Sequence, residues 1–103
     1  MSSLIIGIAA RPSETEGFVI GKVVTGGGFG INNVVVVDLS TSAGTLTNVL
    51  GNFEYVRANM NTYYTIETEF RFSKDGYGTV TRPSGITAGA TVDLGRITLP
   101  RLE

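Results

Sequence analysis

No stretch of this chain repeats its apolar residues with a helical period over a helix-length window, and that exclusion decides most of what it can fold into. Short runs rich in Val, Ile, Thr, Tyr and Phe alternate instead with clusters of Gly, Asn, Ser and Pro. β-Branched and aromatic side chains suit a pleated surface, and the clusters supply turns. The pattern predicts strands at 4–10, 18–25, 33–40, 45–50, 52–57, 63–73, 78–82 and 92–99. Turns are expected at Arg11-Pro12-Ser13, Gly26-Gly27-Gly28, Ser42-Ala43-Gly44, Leu50-Gly51-Asn52, Asn59-Met60-Asn61, Asp75-Gly76 and Arg82-Pro83-Ser84-Gly85.

The clearest two-sided segment is 63–73. Tyr64, Ile66, Phe70 and Phe72 share one face, expected inward, while Tyr63, Thr65, Glu67, Glu69 and Arg71 share the wet one. The run Val34-Val35-Val36-Val37 is apolar on both faces and reads as a central strand. Its register is set by placing Val35, Val37 and Leu39 inward, so that Asp38 faces water.

The 103 residues fit one domain, divided into an N-terminal β-arm and linker at 1–17 and a sandwich at 18–100. Hydrophobic residues at 42% and charged residues at 17% argue for a packed core rather than disorder. Histidine and cysteine are both absent, which removes the usual zinc, copper and haem ligands, the thiolate nucleophile and the commonest general base. No disulfide framework is possible, and no cofactor is expected. The net charge is −1 and the eight Lys and Arg residues are scattered, so neither nucleic acid nor an anionic membrane is favoured as a partner. The apolar run 4–10 is too short to cross a bilayer and reads as a strand.

A series of motifs gives the pattern a more specific form. Val19-Ile20-Gly21-Lys22-Val23 is similar to a first strand I-x-G-x-V, and Gly28-Phe29-Gly30-Ile31-Asn32-Asn33-Val34 to the turn G-x-P-L-x-G-A. Thr45 to Tyr55 follows T-x-T-D-x-x-G-x-F-x-F. Tyr64-Thr65-Ile66 follows Y-T-L, Lys74-Asp75-Gly76-Tyr77 follows K-x-G-Y, and Ala88 to Leu99 follows A-G-x-T-x-D-L-G-x-I-x-L. In this order, over about four-fifths of the chain, they resemble the carboxypeptidase regulatory-like, transthyretin-like (prealbumin-type) β-sandwich, a relative of immunoglobulin-like modules. The resemblance implies a noncatalytic partner or spacer domain whose motifs are structural. Gly30 stands where that family has Pro, which is expected to loosen a turn. Asn33 replaces a Gly and Asn48 an Asp, both tolerable because Asn adopts the left-handed conformation and caps turns. Gly51 is expected at positive φ, with Phe53 and Tyr55 in the core.

Candidate sites are few. Thr25-Gly26-Gly27-Gly28-Phe29-Gly30 lacks the Lys-Ser/Thr or helix start of a phosphate loop and reads as a turn. Glu67 and Glu69 share a strand face with Thr65 and Arg71, as a solvated face does. Asp38, Asp75 and Asp93 would meet at a metal only through loop packing that spacing does not dictate. The hydroxyls of Ser40, Thr41, Ser42, Thr45 and Thr47 are expected along a loop. Tyr63 and Tyr77 are the tyrosines expected to be exposed, and hence the candidate contacts for a carbohydrate ring.

The arm carries the remaining signal. Leu4, Ile5, Ile6 and Ile8 are too apolar for a solvated tail, and Phe18 and Ile20 are expected to face away from the core. These six are the candidate assembly residues. Either the arm folds back as an extra strand of its own sandwich, or it adds to a neighbouring chain's edge. The fold expected is therefore an all-β, seven- to eight-stranded antiparallel immunoglobulin-like or transthyretin-like β-sandwich with an extra N-terminal strand. The function expected is a structural or interaction module in a larger assembly such as a virion, a surface filament or a multidomain surface protein. Its partner would be protein (a second copy or a neighbouring domain) at the cell surface, outside the cell or in a virion. A carbohydrate- or peptide-binding module is the alternative.

Overall fold

The computed structural model describes residues 14–102, and within them every regular element is a strand. The strands are β1 (Gly17–Val24), β2 (Val35–Asp38), β3 (Ala43–Leu46), β4 (Asn52–Arg57), β5 (Thr65–Ser73), β6 (Val80–Thr87) and β7 (Thr91–Thr98). They form a three-stranded sheet in the order β4-β1-β7 and a four-stranded sheet in the order β3-β2-β5-β6. Every pairing is antiparallel except β1 with β7, whose register shifts between Ile20 and Lys22. The expected all-β sandwich is what the chain forms. The strand expected at 4–10, with Leu4, Ile5, Ile6 and Ile8, lies outside the described residues.

The core follows from alternation. Val19 and Val23 from β1, Phe53 and Tyr55 from β4, and Ile97 from β7 meet Val36, Phe70, Phe72 and Ile86 from the other sheet. Two aromatic pairs bridge the sheets: Phe53 against Phe72 (5.6 Å, tilted 60°) and Tyr55 edge-on to Phe70 (5.3 Å, 75°). Such pairs add about 0.5–1.5 kcal/mol each beyond the area they bury. Met60, expected in a turn, also belongs to this core.

Four expectations are corrected. Val34 and Val36 point inward with Asp38, all at 0% exposure, while Val35 and Leu39 are 42% and 39% exposed. The expected register is thus off by one. Burying a carboxylate is tolerable here because five donors meet it, as described below. Tyr64, expected in the core, is 56% exposed. The chain turns at 61–64, with the Tyr64 amide bonded to the Asn61 carbonyl and Tyr63 at φ 57, so alternation starts only at Thr65. Arg82-Pro83-Ser84-Gly85 is no turn but the middle of β6, with Pro83 opposite Glu69. β6 is an edge strand, where a missing N–H need not interrupt a ladder. The strand expected at 45–50 is β3, four residues earlier in its end. It stops because Thr47 turns inward, donating its hydroxyl to the Ile31 carbonyl (2.6 Å) and accepting the Val34 amide (2.9 Å).

Gly30 does not loosen its turn. A Cβ there would overlap the Leu50 carbonyl, and a Cβ at Gly51 (φ +85) would overlap the Val23 carbonyl. The 25–30 loop and the 48–51 turn therefore pack backbone to backbone, with the Val23 amide bonded to the Gly51 carbonyl at 2.8 Å. Asn33 at φ 60 adopts the left-handed conformation expected of it.

Candidate functional site

Among the described residues the one buried charged group is Asp38, at the end of β2. Its Oδ1 accepts from the Ser40 amide (3.0 Å), the Ser40 hydroxyl (2.7 Å) and the Thr68 hydroxyl (2.6 Å). Its Oδ2 accepts from the Tyr55 hydroxyl (2.8 Å) and Arg57 Nη1 (3.2 Å). Arg57 also donates to Ser40 Oγ at 3.2 Å. Parity explains the meeting: Phe53, Tyr55 and Arg57 share the inward face of β4, as Val34, Val36 and Asp38 share that of the other sheet. The carboxylate thus ties β4 of one sheet to β2 and β5 of the other.

Burial pushes the Asp38 carboxyl up, but hydrogen bonds from Thr68, Ser40, Tyr55 and the Ser40 amide more than reverse this and hold it below its ordinary 3.8. Tyr55 moves the other way. Burial raises its phenol above 10.0, Thr41 offsets part of that, and the negative Asp38 beside it adds to the rise. An acid–base catalyst needs a free lone pair and a pKa near the working pH. Asp38 has five donors on about four lone pairs and a lowered pKa. Its arrangement is that of a structural clasp.

The residues singled out from sequence are dispersed. Glu67 and Glu69 lie exposed on the wet face of β5, as expected. Asp75 sits in an exposed turn, and Asp93 on β7 accepts the Gly95 amide at 2.8 Å. Neither approaches Asp38 as a metal ligand would, and among the described residues no group of three acidic side chains could hold an ion. The glycine-rich segment is a turn closed by Thr25 N–H to Phe29 O (2.8 Å) and Gly28 N–H to Thr25 O (2.9 Å). Of the hydroxyls expected along one loop, Ser40 and Thr41 join the clasp, while Thr45 lies in β3 and Thr47 is buried. Ile20 is partly exposed beside Lys22 and Arg96, in a shallow depression on the three-stranded sheet. Phe18 is buried but stands apart from the central cluster, on the face of β1 opposite Val19.

Tyr63 and Tyr77 are not brought together. Tyr63 precedes β5 and Tyr77 follows it, so the nine-residue strand puts ~30 Å between them. Tyr63 is 68% exposed beside Gly89, whereas Tyr77 packs partly on the core with the Arg101 guanidinium 5.8 Å over its ring.

What sequence reasoning missed is an apolar end. Phe29 (75% exposed) lies on the β1–β2 loop, and Val49 (73%) and Leu50 (61%) on the β3–β4 turn that packs against it. Apolar residues inside segments that otherwise read as turns were the available signal.

No protein-family model matches the chain, and no curated protein matches it. Solved structures do. A 3-chlorocatechol 1,2-dioxygenase from Rhodococcus opacus 1CP superposes with a TM-score of 0.59 over 88% of this chain, at 11% identity. A 9R-lipoxygenase from Cyanothece PCC8801 superposes with a TM-score of 0.50 over 96% of it, at 17% identity. The likeness is one of fold. The chain spans 62% of the first protein and 19% of the second.

Proposed function

We propose that this chain is a noncatalytic β-sandwich, transthyretin-like in the manner of carboxypeptidase regulatory-like domains, that acts as a subunit or repeat of a larger protein assembly. The observation that carries the reading is the apolar end: Phe29, Val49 and Leu50 stand 75%, 73% and 61% exposed on adjoining turns. Exposed apolar side chains gathered at one place mark contact surfaces more often than chance exposure does. The saturated hydrogen bonding of Asp38 supports a structural rather than a catalytic use of this buried charge. Protein is favoured over carbohydrate as partner, because Tyr63 and Tyr77 stand at opposite ends of β5 and offer no shared platform for a sugar.

Sedimentation velocity over a rising concentration series tests the reading. Wild type is expected to shift toward oligomers and Phe29→Ser to remain monomeric with an unchanged melt. A wild type that stays monomeric while binding a glycan array through Tyr63 would replace the assembly reading with the carbohydrate one.

A further inference from the structure

Among the described residues, β3, β4, β6 and β7 stand at sheet edges, with β3 beside β4 on one flank of the sandwich and β6 beside β7 on the other. The flanks are not equally closed. On the first, Phe53 and Tyr55 of β4 are buried. On the second, Val92 and Leu94 of β7 are only partly buried, as are Val80 of β6 and Ile66 of β5 in the facing sheet. Pro83 lies within β6 and has no N–H to offer a further strand. β7 contains no proline, and its pairing with β1 leaves a row of donors on its other side. The Ala90 carbonyl accepts the Phe18 amide (3.1 Å), and the Leu99 amide reaches the Val24 carbonyl (3.0 Å). Backbone groups alternate sides along a strand, so the N–H groups of Thr91, Asp93, Arg96 and Thr98 point away from β1, on either side of the register shift.

We infer that β7 is a strand-accepting edge and that its occupant is residues 4–10 of the same chain, laid antiparallel to it. The place where the described chain begins supports this. Glu16 accepts the Gly89 amide on its carbonyl at 2.8 Å, and the Glu14 Cα is 3.9 Å from where a Cβ of Gly89 would stand. Gly89 lies in the turn that leads into β7. The chain preceding Glu14 therefore arrives at the start of β7, with residues 11–13 able to span up to ~10 Å before the arm begins. Seven extended residues cover ~23 Å, close to the ~26 Å of eight-residue β7. Direction also favours β7. A segment running toward the start of β1 is antiparallel to β7 and parallel to β4, and antiparallel pairing is the more stable per residue. Parity completes the match. Leu4, Ile6 and Ile8 share one face and continue the inward row of Val92 and Leu94, whereas Ile5, Gly7 and Ala9 share the other. The apolar end at Phe29 takes no part in this closure, which stands apart from the assembly reading. A covered β7 also removes a template for edge-to-edge pairing of sheets.

Hydrogen exchange of backbone amides, followed by NMR on the full chain, tests the parity. In wild type the amides of Thr91, Asp93, Arg96 and Thr98 are expected to be protected. Ile6→Asp puts a carboxylate on the inward face and should speed their exchange at least about tenfold, while Val92 and Ile97, whose N–H groups face β1, keep their protection. Ile5→Asp, on the other face, should leave all six within about twofold of wild type. Outward amides that exchange as fast in wild type as in Ile6→Asp overturn the placement, and so does an equal effect of the two substitutions. Should Ile6→Asp aggregate, Ile8→Ser replaces it with the same pattern expected. Sedimentation of the same samples identifies whose arm is bound. Protection that persists on dilution to a monomer supports the chain's own arm; protection lost on reaching the monomer overturns it and assigns the strand to a second copy.

Discussion

Replacing Tyr55 by Phe isolates one strand of the Asp38 clasp. The substitution keeps the ring, and with it the edge contact to Phe70 at 5.3 Å, and deletes the hydroxyl that donates to Asp38 Oδ2 at 2.8 Å. Hydrogen bonds to charged groups contribute about 1.5–3 kcal/mol, more than neutral ones, because an ionised acceptor left short of donors is expensive to bury. Oδ2 retains Arg57 at 3.2 Å, so the carboxylate is weakened and not orphaned. A loss of about 2 kcal/mol follows. For a domain of this size that lowers Tm by ~8–16 °C.

Urea unfolding followed by far-ultraviolet circular dichroism is the assay. The midpoint should fall with the slope unchanged, because the surface exposed on unfolding is the same. Tyr64→Phe, whose side chain is exposed, is the control and should stay within about 0.5 kcal/mol of wild type. The difference between Tyr55→Phe and wild type should shrink in acid, as Asp38 takes up a proton. A loss below about 0.5 kcal/mol, equal to that of the control, would refute the view that the clasp holds the two sheets together.

Other outcomes follow from the same contacts. Because Asp38 is held below its ordinary pKa in the folded state, it contributes stability that is fully present above about 3.8 and is lost as pH falls through the folded value. The urea midpoint should therefore drop on acidification below about pH 4, and Asp38→Asn should start lower at neutral pH and lose most of that slope. Gly30→Ala should destabilise by about 1–3 kcal/mol, since its methyl meets the Leu50 carbonyl, a backbone group that cannot swing aside. Thermal melts read this directly, and a neutral result would show that the two loops do not pack as described.

The parts of the fold legible in the sequence are those where alternation had one answer. β4 and β5 carry clear period-two patterns, and β1, β4, β5 and β7 all fall within two residues of expectation. The valine run offered no such contrast. Its register hung on where Asp38 should point, and local reasoning sent the charge to water because the partner that makes burial tolerable, Arg57, lies 19 residues away in sequence. Parity on β4 held the missing clue, since Arg57 shares a face with Phe53 and Tyr55. The course of β6 was hidden for a similar reason. Pro83 and Gly85 read locally as a turn, and only the position of β6 at a sheet edge makes them acceptable in a strand.

The two ends are held together in different ways. At one, the buried Asp38 carboxylate joins β4 of one sheet to β2 and β5 of the other. At the other, the sheets are closed by backbone approach at Gly30 and Gly51 and by the Thr47 hydroxyl. The turns that result are held firmly despite their glycines. Asn48 Oδ1 accepts the Leu50 and Asn52 amides at 3.0 Å each, and the Phe29 amide reaches Thr25 Oγ1 at 3.2 Å. Apolar side chains on pre-ordered turns lose little conformational freedom when a partner covers them. A small contact on such a support would retain more of its apolar gain than the same side chains on a loose loop, which is the physical support for the contact surface proposed at this end.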